Sequence, residues 1–140
     1  MSVSIFTGSR DLKLSQAEPW FQALLRDEFA PGVEPSIRAC FVGCCPSGLD
    51  KIARYFLDPF EPFVIRAHWY PHGPDGRIDR SAGPKRNSRM VTAAAALAKA
   101  LDVELVCHAW PVGKSLGTRD CMRRAKAAGA RVVVHTEEML

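Results

Sequence analysis

The sequence predicts an α/β protein: a three-layer sandwich in which a parallel five-stranded sheet lies between helices. Three observations predict it. Short apolar runs alternate with amphipathic helical stretches along the whole chain. Those runs are continuous rather than alternating in polarity, as in strands covered on both faces. The Gly-rich and polar loops of chemical interest each follow a strand.

The elements read in order. Val3 to Phe6 is an apolar run ending at Gly8, the first strand. Trp20, Phe21, Leu24, Leu25 and Phe29 recur at helical spacing over about residues 16–29, with Ser15 and Glu18 resembling a capping box. Pro31-Gly32 ends that helix. Ala39 to Val42 is the second strand, and Ser47 with Asp50 three residues on marks a helix start. Leu49, Ile52, Ala53 and Phe56 give that helix an apolar face before Asp58-Pro59 breaks it. Phe63 to Ile65 opens a third strand running to about His68, followed by a long polar segment from Tyr70 to Gly83 of the kind that carries function or motion. An Ala-rich helix spans about 85–101 with Val91, Ala94, Leu97, Ala98 and Leu101 inward. Val103 to Cys107 is the fourth strand. Thr118 caps a helix that ends at Gly129, and Arg131 to Val134 is the fifth strand.

A chain of 140 residues with 47% apolar and 24% charged residues fits one domain, 1–140, able to bury a core without staples. The net charge of +4 permits an anionic ligand in a local basic cluster but falls short of a strongly basic nucleic-acid binder. No basic leader with a long apolar stretch opens the chain and no run approaches a membrane span, so a cytoplasmic protein without a membrane partner is expected. Five cysteines at irregular spacing read as free thiols in a reducing compartment.

Parallel sheets of Rossmann-like type bind ligands beyond the C-terminal strand ends, where strand order reverses. Four loops fall there. Gly8-Ser9-Arg10 offers backbone amides, a hydroxyl and a guanidinium fork suited to phosphate, or an ordinary turn. Gly43, Cys44, Ser47, Gly48 and Asp50 form a small-residue turn opening a helix, in which Asp50 either caps or holds a ligand hydroxyl. Lys85, Arg86, Asn87 and Arg89 crowd three cations and an amide at a helix start, against the helix dipole unless an anion arrives, or form a solvated basic turn. Ser115, Gly117 and Thr118 form a hydroxyl-rich turn before the last helix. It is not a P-loop, because His108 stands where that pattern needs glycine, and no GxGxxG follows the first strand. No zinc-type spacing links Cys40, Cys44, Cys45, His68 and His72, so no metal is expected. Trp69 and Tyr70 sit on a strand-end loop, where base stacking and plain surface are both open readings.

At these loops the chain resembles the SLOG superfamily of Rossmann-like nucleotide-binding domains, and within it the small bacterial and phage branch called DUF2493 or YspA-related. The residues that carry the match are Thr7 to Arg10, Gly43 to Asp50, Ala82 to Asn87 with Met90, and Ser115 to Thr118 running into Cys121 and Ala125. The resemblance implies strand order 3-2-1-4-5 and a nucleotide or nucleotide-derived ligand, with no further cofactor required. Arg10, Lys85, Arg86 and the amides of the Gly8 and Gly117 turns are expected on phosphate, and Asn87, Asp50 and Ser115 on ribose or base. Two relatives give alternatives. The cytokinin-activating phosphoribohydrolases carry PGGxGTxxE; Gly117-Thr118 matches, but Cys121 stands at the glutamate position, which argues against N-glycosidic hydrolysis and leaves the catalytic residues unknown. The DNA-processing protein A family shares a Gly-x-x-x-Gly-x-Asp turn, matched in part from Cys44 to Asp50, and a Pro-x-Arg-Asn segment matched by Pro84 to Asn87. It binds single-stranded DNA, here ranked below a small ligand. Homo-oligomers are common among such relatives.

Overall fold

A computed structural model describes residues 1–135. The strands are β1 (Ser2–Gly8), β2 (Ile37–Gly43), β3 (Phe63–Ile65), β4 (Glu104–Trp110) and β5 (Arg131–Val134). The helices are α1 (Leu14–Glu28), α2 (Gly48–Phe56), α3 (Ala82–Leu101) and α4 (Leu116–Ala127), with a 3-10 turn at Asp58–Phe60. All strand pairs are parallel, as the patterning predicts, and the order is β3-β2-β1-β4-β5, the order that the resemblance implies. The chain winds outward from β1 to β2 and β3, then returns to lay β4 and β5 on β1's other edge. Strand order therefore reverses between β1 and β4.

Alternation along β1 builds two cores, one on each face of the sheet. Phe6 points toward α1 and α2, where it meets Phe21, Leu49, Phe56 and Trp110. Val3 and Ile5 point toward α3 and α4, where they meet Met90, Ala94, Cys107 and Cys121. Phe21 is fully buried, its ring stacked on Phe56 at 5.5 Å, and truncating such a side chain typically costs about 3–5 kcal/mol. Glu28 at the end of α1 is also buried. Its carboxylate accepts from the Ser36 amide and hydroxyl and the Ile37 amide, which pins the entry to β2. His135 stacks on Trp110 at 4.2 Å and lies 3.2 Å from His108, ring nitrogen to ring nitrogen. Burial lowers both imidazoles, His108 to about 3 and His135 to about 4, so both are neutral near pH 7.

Several element ends differ from the sequence expectation, each for a local reason. Helix α1 begins at Leu14, and its first turn is closed by Lys13 N–H donating to Gln16 Oε1 at 2.7 Å, two residues before the expected Ser15–Glu18 box. Helix α3 begins at Ala82, three residues before Lys85. Helix α4 begins at Leu116, so Thr118 is a buried first-turn residue rather than the cap. Phe29 and Leu101, expected inward, are exposed: Phe29 rests on Phe60, and Leu101 ends α3. Gly129 terminates α4 at φ +93°, the left-handed position glycine favours. Among the described residues, no helix is long and apolar enough to cross a membrane.

Candidate functional site

Beyond the paired ends of β1 and β4, the loops that follow them bound a cleft of about 500 Å³, within the usual size of small-molecule sites. One wall is the turn after β1, from Thr7 to Asp11. The other is the turn from Val112 into the first residues of α4. Cys45, Asp50 and Arg86 lie between them.

The β1 turn is rigid because one carbonyl organises it. Ser9 O accepts from Leu12 N–H at 3.2 Å and from Leu49 N–H at 3.1 Å, while Ser9 N–H donates to Trp110 O at 3.0 Å. The Ser9 hydroxyl accepts from Asp11 N–H. Helix α2 thus delivers one of its free first-turn amides to the turn after β1. This junction requires a glycine at 48. Its φ is +65°, and a Cβ would overlap Ser9 O and stand 2.5 Å from the Arg10 backbone. Ser47, the residue before α2, does not cap it; its hydroxyl donates to Arg10 O at 3.0 Å.

The floor is an ion pair with a long reach. Asp50 Oδ2 accepts from Cys45 N–H at 3.0 Å and lies 3.9 Å from Arg86 Nη1. Both side chains are largely buried. Burial raises the Asp50 carboxyl above the ordinary range, opposed by the Cys45 amide and the Arg86 and Arg54 guanidiniums. Gly43 makes room for the pair, since a Cβ there would overlap Arg86 Nη1 and come within 2.5 Å of Asp50 Oδ2. Arg54 donates to the carbonyls of Gly43 and Cys45, fixing the turn above.

Arg86 is aimed by its neighbour. Its Nε donates to Asn87 Oδ1 at 2.9 Å, and Asn87 Nδ2 donates to Gly117 O at 3.1 Å and Asp120 Oδ2 at 3.0 Å. Asp120 also accepts from Arg124 Nε at 3.0 Å. A continuous chain of polar contacts therefore runs from Asp50 under the cleft to the first turn of α4.

That first turn is left open to a ligand. Ser115 sits in the left-handed region at φ +40°, and its hydroxyl turns back onto Val112, accepting from the amide and donating to the carbonyl. The amides of Leu116, Gly117 and Thr118 consequently have no acceptor among the described residues. Arg10 and Lys114, both exposed, stand on the two rims.

Of the residues the sequence singled out, the cleft gathers Gly8, Ser9, Arg10, Asp50, Arg86, Ser115, Gly117 and Thr118. Gly43 and Asn87 lie beneath it as supports. Cys44 turns away, its Sγ accepting from Ala67 N–H, and its neighbour Cys45 lines the cleft instead. Ser47 and Gly48 line a different hollow, and Lys85 pairs with Asp79 at 3.1 Å on another face of α3. Asp11, Lys114 and Asp120 were not singled out. Lys114 immediately precedes the Ser115–Thr118 turn; Asp120 has no signal without knowing that α3 packs on α4.

A larger hollow of about 610 Å³ lies between α1 and α2, lined mainly by Leu12, Leu14, Ile52, Tyr55 and Phe56. Its lining is mostly aliphatic and aromatic, with Lys51 as its cation. The strand-end cleft instead brings together cations, a buried carboxylate and open amides.

No family model matches the chain, and no solved structure matches it. Among curated proteins it is similar to the Gene 61 protein of Mycobacterium phage D29, 42% identical over 72 residues. The matched stretch covers 51% of this chain and 46% of that protein, so the similarity spans about half the length of each. A phage protein is thus among its relatives.

Proposed function

We propose that the chain binds a nucleotide or nucleotide-derived ligand in the cleft between β1 and β4, as a binding or sensing module of SLOG type. The observation that carries this reading is the uncapped start of α4, whose open amides face the Ser9-Arg10 turn across the point where strand order reverses. A helix N-terminus of this kind holds an anion through its N–H groups and its dipole.

In this reading a phosphate sits on the amides of Leu116 to Thr118, with Arg10 and Lys114 closing from the rims. Arg86, held from behind by Asp50 and Asn87, presents its remaining guanidinium donors to the same anion. Asp50 Oδ1 has no hydrogen-bond partner among the described residues and takes a ribose hydroxyl. Asn87 spends its amide on internal bonds and positions Arg86 rather than touching the ligand. Cys121 is fully buried against Cys107 and Thr7, so the position where a phosphoribohydrolase carries its glutamate presents no carboxylate to the cleft. This favours binding without hydrolysis.

A thermal-shift screen with adenine and guanine nucleotides and ADP-ribose tests the reading. Stabilisation of about 2.7 kcal/mol is expected when the ligand is near a hundred times its Kd. Arg10→Ala and Lys114→Ala should weaken that shift while leaving the unliganded Tm in place. The absence of any shift across nucleotides would reject the reading, and chromatographic release of free base from a nucleoside monophosphate would replace it with hydrolysis.

A further inference from the structure

The charge of this protein is not spread over its surface. Six of its 19 basic side chains but two of its 15 acidic ones lie in residues 66–89, a local excess of four; residues 114–131 hold a second excess, six basic against one acidic, in which Arg123 and Arg124 pair with Asp120 and Arg131 pairs with Glu104. The cations are Arg66, Arg77, Arg80, Lys85, Arg86 and Arg89. Arg86 faces the nucleotide cleft, and the other five are exposed.

This stretch has built structure. Asp79 N–H donates to Trp69 O, closing the base of the excursion, and the Tyr70–Gly73 and Gly73–Gly76 turns are hydrogen-bonded within it. Trp69 packs edge-on against Gly83, where a Cβ would stand 3.3 Å from its ring. Arg89 donates to Arg66 O at 2.6 Å, tying α3 to the end of β3. Between these ties runs a groove of about 340 Å³, lined by His68, Asp79, Lys85, Ser88 and Arg89. His68 is exposed on its wall and Tyr70, half-exposed, stands two residues on. Asp79 sits at the start of helix α3, accepting from Ser81 and pairing with Lys85, whereas Arg66, Arg77, Arg80 and Arg89 have no carboxylate partner among the described residues.

We propose that the surface formed by residues 66–89 binds single-stranded nucleic acid, phosphates on Arg66, Arg77, Arg80, Lys85 and Arg89, and bases against His68 and Tyr70. Cations interleaved with accessible rings suit a strand whose bases are free to stack. A duplex offers only base edges within its grooves, which the rings cannot stack on. An acidic peptide would use the cations and leave the rings idle. The site is separate from the nucleotide cleft: on α3, Arg86 serves one and Lys85 and Arg89 the other.

The test is fluorescence anisotropy of the full chain with a labelled oligothymidylate of about 15 nucleotides across a salt series. Binding is expected, with log K falling against log salt at a slope of about −0.7 per phosphate contact, hence about −2 to −3.5 for three to five contacts. The Arg77→Ala/Arg80→Ala double variant should reduce both affinity and slope. Tyr70→Ala should weaken binding about five-fold or more with the slope unchanged. Arg10→Ala should leave oligonucleotide binding intact, and the double variant should leave nucleotide-induced thermal shifts intact, so the two readings fail independently. No binding near 50 mM salt would overturn the proposal. Equal or tighter binding of a duplex or of polyglutamate, or a Tyr70→Ala variant indistinguishable from the parent, would overturn it as well.

Discussion

Two regions at the same end of the sheet are built on opposite terms. In the cleft between β1 and β4 the wall and floor are fixed from below: Ser9, Asp50, Arg86 and Asn87 are held by partners from neighbouring elements. The excursion from Arg66 to Ser81 carries most of its side chains in solvent and is tied mainly at its base, with its polar bonds short-range and surface-exposed. Buried polar groups that are fully partnered hold a shape; exposed cations that are not balanced hold a charge. The first suits a small ligand that must meet donors in fixed positions. The second suits a long anion that samples many contacts.

Two glycines should separate the regions by the largest margin. Gly48 and Gly73 both have positive φ, +65° and +103°, but a Cβ at 48 would overlap the Ser9-Arg10 backbone whereas nothing lies within 4 Å of one at 73. Gly48→Ala should therefore lose about 3 kcal/mol or more in urea unfolding, and Gly73→Ala about 1 kcal/mol from backbone conformation alone. Equal losses would mean that α2 is not locked to the β1 turn.

Next come the side-chain bonds. Asn87→Ala removes three hydrogen bonds and leaves the Gly117 carbonyl and Asp120 short of a buried donor, so a loss of about 2–3 kcal/mol is expected. Lys85→Ala breaks only an exposed pair and should stay within about 0.5 kcal/mol. The same unfolding experiment reads both, and a reversed order would contradict the division between held and free residues. The smallest effect is in titration. Each region has a carboxylate near a cation, yet Asp79, held by Ser81 and Lys85, is lowered to about 2, while burial raises Asp50. The sign follows: as pH falls, Asp50 takes its proton first, and the Asp79 bonds, present above its unfolded value near 3.8, fade only as pH falls toward 2. Carbon-detected NMR of the two carboxyls should give midpoints in that order.

Much of this was legible in the sequence because apolar runs and their bounding loops carry the fold directly. Strand identity, the parallel sheet, and the clustering of four loops at one end follow from patterning around Phe6, Phe41 and Val106. What patterning cannot give is where each side chain of a loop points. Cys44 and Cys45 are equivalent by composition, and the turn alone decides that Cys45 faces the cleft. Lys85 and Arg86 are adjacent, but on a helix consecutive residues diverge by about 100°, so one reaches the cleft and the other leaves it. Asp120 enters through the contact of α3 with α4, a tertiary fact with no local sequence signature.

The central claim is that phosphate is held at the start of α4. Titrating nitrogen-labelled protein with a nucleoside monophosphate, and separately with the nucleoside, tests it most directly. The account predicts that the amides of Leu116, Gly117 and Thr118 shift together with those of Gly8 to Arg10, and that they do so with the monophosphate far more than with the nucleoside. Unmoved amides at both turns, or shifts confined to residues 66–81, would contradict it.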